Sequence, residues 1–167
     1  MAGNRRIDRI TEPSYLEGLV DVDDDRLRAM RDECEEEEAV LSYERRLIHG
    51  RLAIITAELE RRANGASGRS LIDRLPAILS GDEAPTHRGS FPKLTPPPVF
   101  ENPRRRVEKL VADDTLARLP ELSDDELHRI RQDLEEAEGE VSRNRRSVLD
   151  VIDRLVEEVG RRVSQRT

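Results

Sequence analysis

The feature that most constrains this chain is an apolar spacing that occurs twice, one hundred residues apart. From Cys34, steps of four and three pass through Glu38, Leu41, Arg45, Ile48, Leu52, Ile55 and Leu59. From Leu134 the same steps pass through Glu138, Val141, Arg145, Val148, Ile152, Leu155 and Val159. This is the spacing of a coiled-coil helix, whose apolar residues recur every three or four positions to keep one seam against a partner. Six of the eight positions are apolar in each copy, and the two exceptions are the same pair, Glu then Arg. Aligned without a gap, residues 24–62 and 124–162 share thirteen identities in thirty-nine, among them Glu35/Glu135, Glu38/Glu138, Ser42/Ser142 and Arg45/Arg145. The two stretches form an internal repeat.

Each copy has its own start signal. Asp23 is a candidate N-cap ahead of Asp24 and Asp25, whose charges suit the positive end of a helix dipole. Ser123 and Glu126 have the capping-box spacing. From these caps each helix runs about forty residues, roughly 60 Å at ~1.5 Å per residue, the first to Arg62 and the second almost to the C-terminus. A stripe this narrow does not hold a helix in water unaided, so each must pack on something, and the nearest candidate is the other. The expected fold is all-α: two long helices in an antiparallel coiled-coil hairpin, with a Pro-rich connecting segment carrying short helices.

Along the chain, residues 1–14 read as a flexible tail carrying Arg5, Arg6 and Arg9, and 15–63 as the first long helix with a lead-in from Leu16, Leu19 and Val22. Residues 64–114 read as a linker, opening on Asn64-Gly65 and holding a short amphipathic helix from Ser70 to Ser80. Six prolines follow in 81–104, and Arg104, Arg105 and Arg106 open a second amphipathic piece with Val107, Leu110 and Val111. Residues 115–167 read as the second long helix with its lead-in.

Composition narrows the function classes. Charged residues make up 39 % and aromatics 2 %, which suits a narrow leucine and isoleucine seam better than a large core. The net charge of −7 argues against direct DNA binding, which needs a clustered excess of Lys and Arg, and favours a protein partner with a basic surface. Cys34 is the only cysteine and reads as a small buried seam residue. No apolar run approaches the roughly 18 residues of a membrane span, and the expected location is cytoplasmic. His87 lies in the linker, His128 is near a helix start and His49 is isolated from any Cys or Ser at nucleophile spacing, and no glycine pattern forms a phosphate loop, so an enzyme is not expected.

The paired exceptions carry the chemistry. Cross-pairing of Glu38 with Arg145 and of Arg45 with Glu138 would set the register of an antiparallel hairpin, as in a structural adaptor that binds protein only. Alternatively the layers hold a ligand. Ser42 and Ser142 lie one turn from their glutamates and beside their arginines, so each copy presents an acceptor, a hydroxyl and a planar five-donor fork. That set suits a guanine nucleotide: Arg can bond the O6 and N7 edge or stack, carboxylate can accept from the opposite edge, and hydroxyl with Arg can take phosphate.

Each copy is similar to the signature of the RsiG family of actinobacterial anti-sigma factors, Glu-x-x-x-Ser-x-x-Arg-x-x-x-Gln-x-x-x-Asp. Glu38, Ser42 and Arg45 match in the first copy, with His49 in place of Gln and Ala53 in place of Asp. Glu138, Ser142, Arg145 and Asp153 match in the second, with Leu149 in place of Gln. The resemblance implies an antiparallel coiled coil that binds cyclic di-GMP as a pair of intercalated molecules. It also implies that, in that form, the protein holds a WhiG-type sigma factor away from RNA polymerase until falling cyclic di-GMP releases it and starts sporulation genes. By that resemblance the ligand residues are Glu38, Ser42, Arg45, His49, Glu138, Ser142, Arg145 and Asp153.

Overall fold

The computed structural model describes residues 5–65, 115 and 117–165, and among them every regular element is helical. A short helix α1 (Arg6–Ile10) and 3-10 turns at Pro13–Leu16 and Leu19–Asp21 lead into α2 (Asp24–Ala63). A 3-10 turn at Leu119–Glu121 leads into α3 (Asp124–Gln165). The amphipathic pieces and the proline-rich run expected between the long helices lie outside the described residues.

Both long helices start where the caps predict. The Arg26 amide donates to Asp23 Oδ1 at 2.7 Å. At the second start the Glu126 amide donates to Ser123 Oγ at 3.3 Å, while the Ser123 amide donates to Glu126 Oε2 at 2.8 Å, which closes the capping box. Those bonds hold the Glu126 carboxyl below the ordinary range, first through the Ser123 backbone. Helix α2 ends at Ala63, and Gly65 just beyond it has a φ of 69°, the left-handed conformation that glycine adopts without penalty.

The chain divides into two compact units, Met1–Tyr43 with Glu140–Thr167, and Glu44–Gly139. In the first, the N-terminal half of α2 packs on the C-terminal half of α3; Leu27, Met30, Cys34 and Leu41 are buried, as are Val141, Val148, Val151 and Leu155. In the second, the C-terminal half of α2 packs on the N-terminal half of α3; Ile48, Ile55 and Ala57 are buried, as are Leu119, Leu127, Leu134 and Ala137. In each unit the beginning of one long helix meets the end of the other, so the helices form an antiparallel hairpin. Each fully buried Leu or Ile contributes roughly 1.5–3 kcal/mol.

Two expectations need correction. The most deeply buried row steps by seven through Leu27, Cys34, Leu41, Ile48 and Ile55, and through Leu127, Leu134, Val141, Val148 and Leu155, as half of the expected seam requires. The other half does not follow. Glu38, Arg45, Leu52 and Leu59, with Glu138, Arg145, Ile152 and Val159, are only half-buried. The row one residue earlier holds buried Glu37, Glu44 and Glu58 on α2, and buried Ala137, Val151 and Glu158 on α3. Positions three and four residues past the central row flank it on opposite sides, and what else packs there decides which is covered.

Helix α1 shows why for Glu37, and it is the second correction. Residues 6–10 are not a flexible tail: Ile7 and Ile10, one turn apart, are buried, and Arg6 reaches Glu36 at 3.0 Å and Glu37 at 4.0 Å. Arg9 pairs with Glu33. A basic amphipathic helix thus covers acidic α2 positions that apolar counting would leave in water.

Candidate functional site

The Glu and Arg of each copy pair across the helices, in separate units. In the unit that holds residues 1–43 and 140–167, Arg145 Nε donates to Glu38 Oε1 at 2.8 Å and to Ser42 Oγ at 2.8 Å. Ser42 Oγ donates to Glu38 Oε1 at 2.6 Å, so the three side chains close a triangle. In the unit Glu44–Gly139, Arg45 Nε donates to Glu138 Oε1 at 3.1 Å, and His49 Nε2 lies 3.2 Å from the same oxygen. A histidine from the expected Gln position therefore takes in one constellation the third place that a serine takes in the other.

Each Glu belongs with the Arg of the other copy because antiparallel pairing brings the start of one repeat to the middle of its twin. All of these ionic groups are partly open to solvent: side-chain exposure is 35 % for Arg145, 23 % for Glu38, 31 % for Arg45 and 24 % for Glu138. That exposure decides their energetic weight, since ion pairs in such surroundings contribute about 0–1 kcal/mol. The carboxylates and guanidinium forks can be re-paired by a solute at small cost.

Ser142 is half-buried in the first unit, one turn along α3 from Glu138 and three residues before Arg145. Asp153 is brought to none of the others: it is exposed, with no hydrogen bond or ion pair among the described residues. Leu149 and Ala53 are half-buried and offer no polar group.

A second pair of constellations escapes the heptad reading. At the end of α3, Arg162 donates to Glu158 Oε1 at 2.7 Å, to Asp24 Oδ1 at 2.9 Å and to the Leu19 carbonyl at 2.9 Å. At the end of α2, Arg62 donates to Glu58 Oε1 at 2.7 Å, to Asp124 Oδ1 at 2.8 Å, and to the Leu122 and Leu119 carbonyls at 2.7 and 2.9 Å. Each arginine thus ties the end of one long helix to the beginning of the other. Arg61 and Arg161 complete the grip on the two glutamates. Hydrogen bonds from Arg61 and Arg62 hold the Glu58 carboxyl down to about 2, and those from Arg161 and Arg162 do the same for Glu158. The signal was present in the sequence as identities at 24/124, 58/158, 61/161 and 62/162, outside the apolar pattern.

Elsewhere in the first unit, Tyr15 donates to Glu33 Oε2 at 3.0 Å, and burial pushes both its hydroxyl and the Cys34 thiol upward. Among the described residues no group of His, Cys, Asp and Glu is arranged to hold a metal ion, and no helix is long and apolar enough to cross a membrane.

No curated protein matches the chain. A family model described as RsiG-like matches residues 13–79, a stretch that takes in the lead-in turns and the whole first copy of the repeat. The second copy carries the same Glu, Ser and Arg and supplies the other long helix of the hairpin. Over residues 13–79, about two fifths of its length, the chain is similar to the RsiG-like family.

Proposed function

We propose that the chain is an anti-sigma factor that binds cyclic di-GMP through its Glu–Arg constellations and, with nucleotide bound, sequesters a WhiG-type sigma factor from RNA polymerase. The observation that carries this reading is that each unit collects an acceptor, a third polar group and a guanidinium fork on partly exposed side chains: Glu38, Ser42 and Arg145 in one, Glu138, His49 and Arg45 in the other. A guanine base satisfies such a set, its O6 and N7 accepting from arginine and its exocyclic amine donating to carboxylate. Guanidinium also suits a phosphate group. Because the internal pairs contribute little, a ligand that replaces them gains nearly the full value of its charge-assisted bonds, about 1.5–3 kcal/mol each.

The coupling to a partner follows from linkage. A nucleotide that touches both the chain and the sigma factor stabilises their complex by its differential affinity for it, and dilution of the nucleotide reverses the effect. The test is size-exclusion chromatography of the chain with a WhiG-type sigma factor. Co-elution with cyclic di-GMP and separation without it is the expected outcome; co-elution indifferent to nucleotide would defeat the proposal.

The cross-helix bonds themselves favour a second reading, a protein-binding adaptor in which Glu38–Arg145 and Arg45–Glu138 set the register. Against it stands the weight of the helix-end clamps. Arg62 and Arg162 are only 18 % and 14 % exposed, and each gathers a carboxylate from the start of the other long helix and carbonyls from the segment that leads into it. Register is already held there.

A further inference from the structure

We propose that Arg31 in one unit and Arg131 in the other are phosphate-binding positions of the nucleotide site, one beside each Glu–Arg constellation. They are the same position of the repeat, seven residues before Glu38 and Glu138, in the row that continues to Arg45 and Arg145. Steps of seven stay on one face of a helix, and seven residues advance it by roughly 10 Å. Arg31 therefore lies two turns from Glu38, in the unit that also holds Ser42 and Arg145, and Arg131 stands likewise to Glu138 in the unit of Arg45 and His49. Each carries an unmatched donor. Among the described residues, the Nε atoms of Arg31 and Arg131 are the buried side-chain polar atoms that make no hydrogen bond. Buried donors are nearly always matched, so the same orphan in both copies calls for an explanation.

The register supplies the cause. Arg145 meets Glu38 and Arg45 meets Glu138, so seven residues back along one helix correspond to seven forward along the other. Arg31 is thereby level with Ile152 and Arg131 with Leu52, half-buried aliphatic side chains that offer no acceptor. Arg45, Arg145, Arg62 and Arg162 each find a carboxylate on the facing helix. Among the described residues, the ion partners of Arg31 and Arg131 come instead from their own helix: Asp32 and Glu35 for the first, Glu135 for the second. Those acids are between 57 and 62 % exposed, so they hold the guanidinium weakly. Charge identifies the ligand group. Glu and Arg cancel within each constellation and the chain carries −7 overall, yet every nucleotide brings a phosphate anion. A guanidinium with an unmatched Nε–H suits phosphate as a two-donor fork. The assignment rests on the nucleotide reading and adds to it the groups that take the phosphates.

The experiment is calorimetric titration of the full chain with cyclic di-GMP, in wild type and three double variants, each also followed by circular dichroism and thermal melting. Arg31→Met with Arg131→Met keeps an apolar stem and removes the fork, so affinity should fall about tenfold or more while helicity and melting temperature hold. Arg31→Lys with Arg131→Lys should recover most of that loss, because an ammonium serves phosphate as a point charge but does not reproduce the two-donor grip of arginine on guanine. Arg28→Met with Arg154→Met removes the same charge from exposed pairs with Asp25 and Glu157 and should change affinity by less than about threefold. Wild-type affinity in the Arg31 and Arg131 Met variant overturns the assignment. So does an equal loss in the Arg28 and Arg154 variant, which would make the effect one of overall charge. Equal losses in the Lys and Met variants would make the two arginines base contacts or packing groups, and early melting of the Met variant would make them structural; either overturns it. No heat in wild type sinks the nucleotide reading and the assignment with it, whereas wild-type heat with an indifferent Met variant sinks the phosphate positions alone.

Discussion

The two units share their helix-end chemistry and differ in the constellations nearer the middle of each helix. Arg162 with Glu158 and Asp24 in one, and Arg62 with Glu58 and Asp124 in the other, make the same bonds at nearly the same distances. The central sets diverge: Ser42 completes the Arg145–Glu38 pair, whereas His49 completes the Arg45–Glu138 pair. The clamp arginines and glutamates are more buried than the central pairs, although Asp124 is 62 % exposed. Buried charge that loses its partner costs several kcal/mol, and half-exposed charge costs little. The comparison teaches that stability is invested at the helix ends, where the units agree, and exchangeable polar groups are kept where they differ.

The largest effect is expected when both central arginines are removed. Arg45→Ala with Arg145→Ala should lower cyclic di-GMP affinity about a hundredfold or more, from the loss of charge-assisted bonds of roughly 1.5–3 kcal/mol each, with circular-dichroism helicity nearly intact. Wholesale loss of helix would make these pairs the structural locks and reverse the comparison. Next come the clamps. Arg62→Ala and Arg162→Ala should each lower the urea midpoint of unfolding, because each leaves part-buried carbonyl and carboxylate acceptors unmatched. A large loss from one and none from the other would break the equivalence of the units.

Acid titration sharpens the same point. Glu58 and Glu158 sit at about 2 in the folded chain, against roughly 4.3 for an unfolded glutamate. A depressed carboxyl stabilises fully above its unfolded value and loses that contribution as pH falls toward its folded value. Thermal melts should therefore weaken between about pH 4.3 and 2, and Glu58→Gln with Glu158→Gln should flatten that limb; an unchanged limb would place the acid sensitivity elsewhere. The smallest effect is expected for His49→Leu, which copies residue 149 into the first repeat. It should change stability by under about 1 kcal/mol, since the contact to Glu138 is partly exposed; a larger loss in urea would mean that His49 is structural.

The long helices were legible because their signals are local. The caps at Asp23 and Ser123 and the central row of every seventh residue need only neighbouring positions, and the repeated Glu and Arg announced antiparallel cross-pairing. Which flank of the central row is buried was not legible. Leu52, Leu59, Ile152 and Val159 argue for one side, whereas burial of Glu37, Glu44 and Glu58 on the other depends on what packs or pairs there, as Arg6, Arg61 and Arg62 do. Helix α1 was missed because two isoleucines in a tail rich in arginine form too short a pattern to read without the surface that receives them. The clamps were missed because arginine at the end of a coiled-coil row looks like the row's end, though the identities at 58/158 and 62/162 marked it.

Calorimetric titration of the wild-type chain with cyclic di-GMP tests the central claim most directly. Saturable heat together with a raised melting temperature is the predicted result. No heat and an unmoved melting temperature would contradict it and leave Glu38–Arg145 and Arg45–Glu138 as internal clasps.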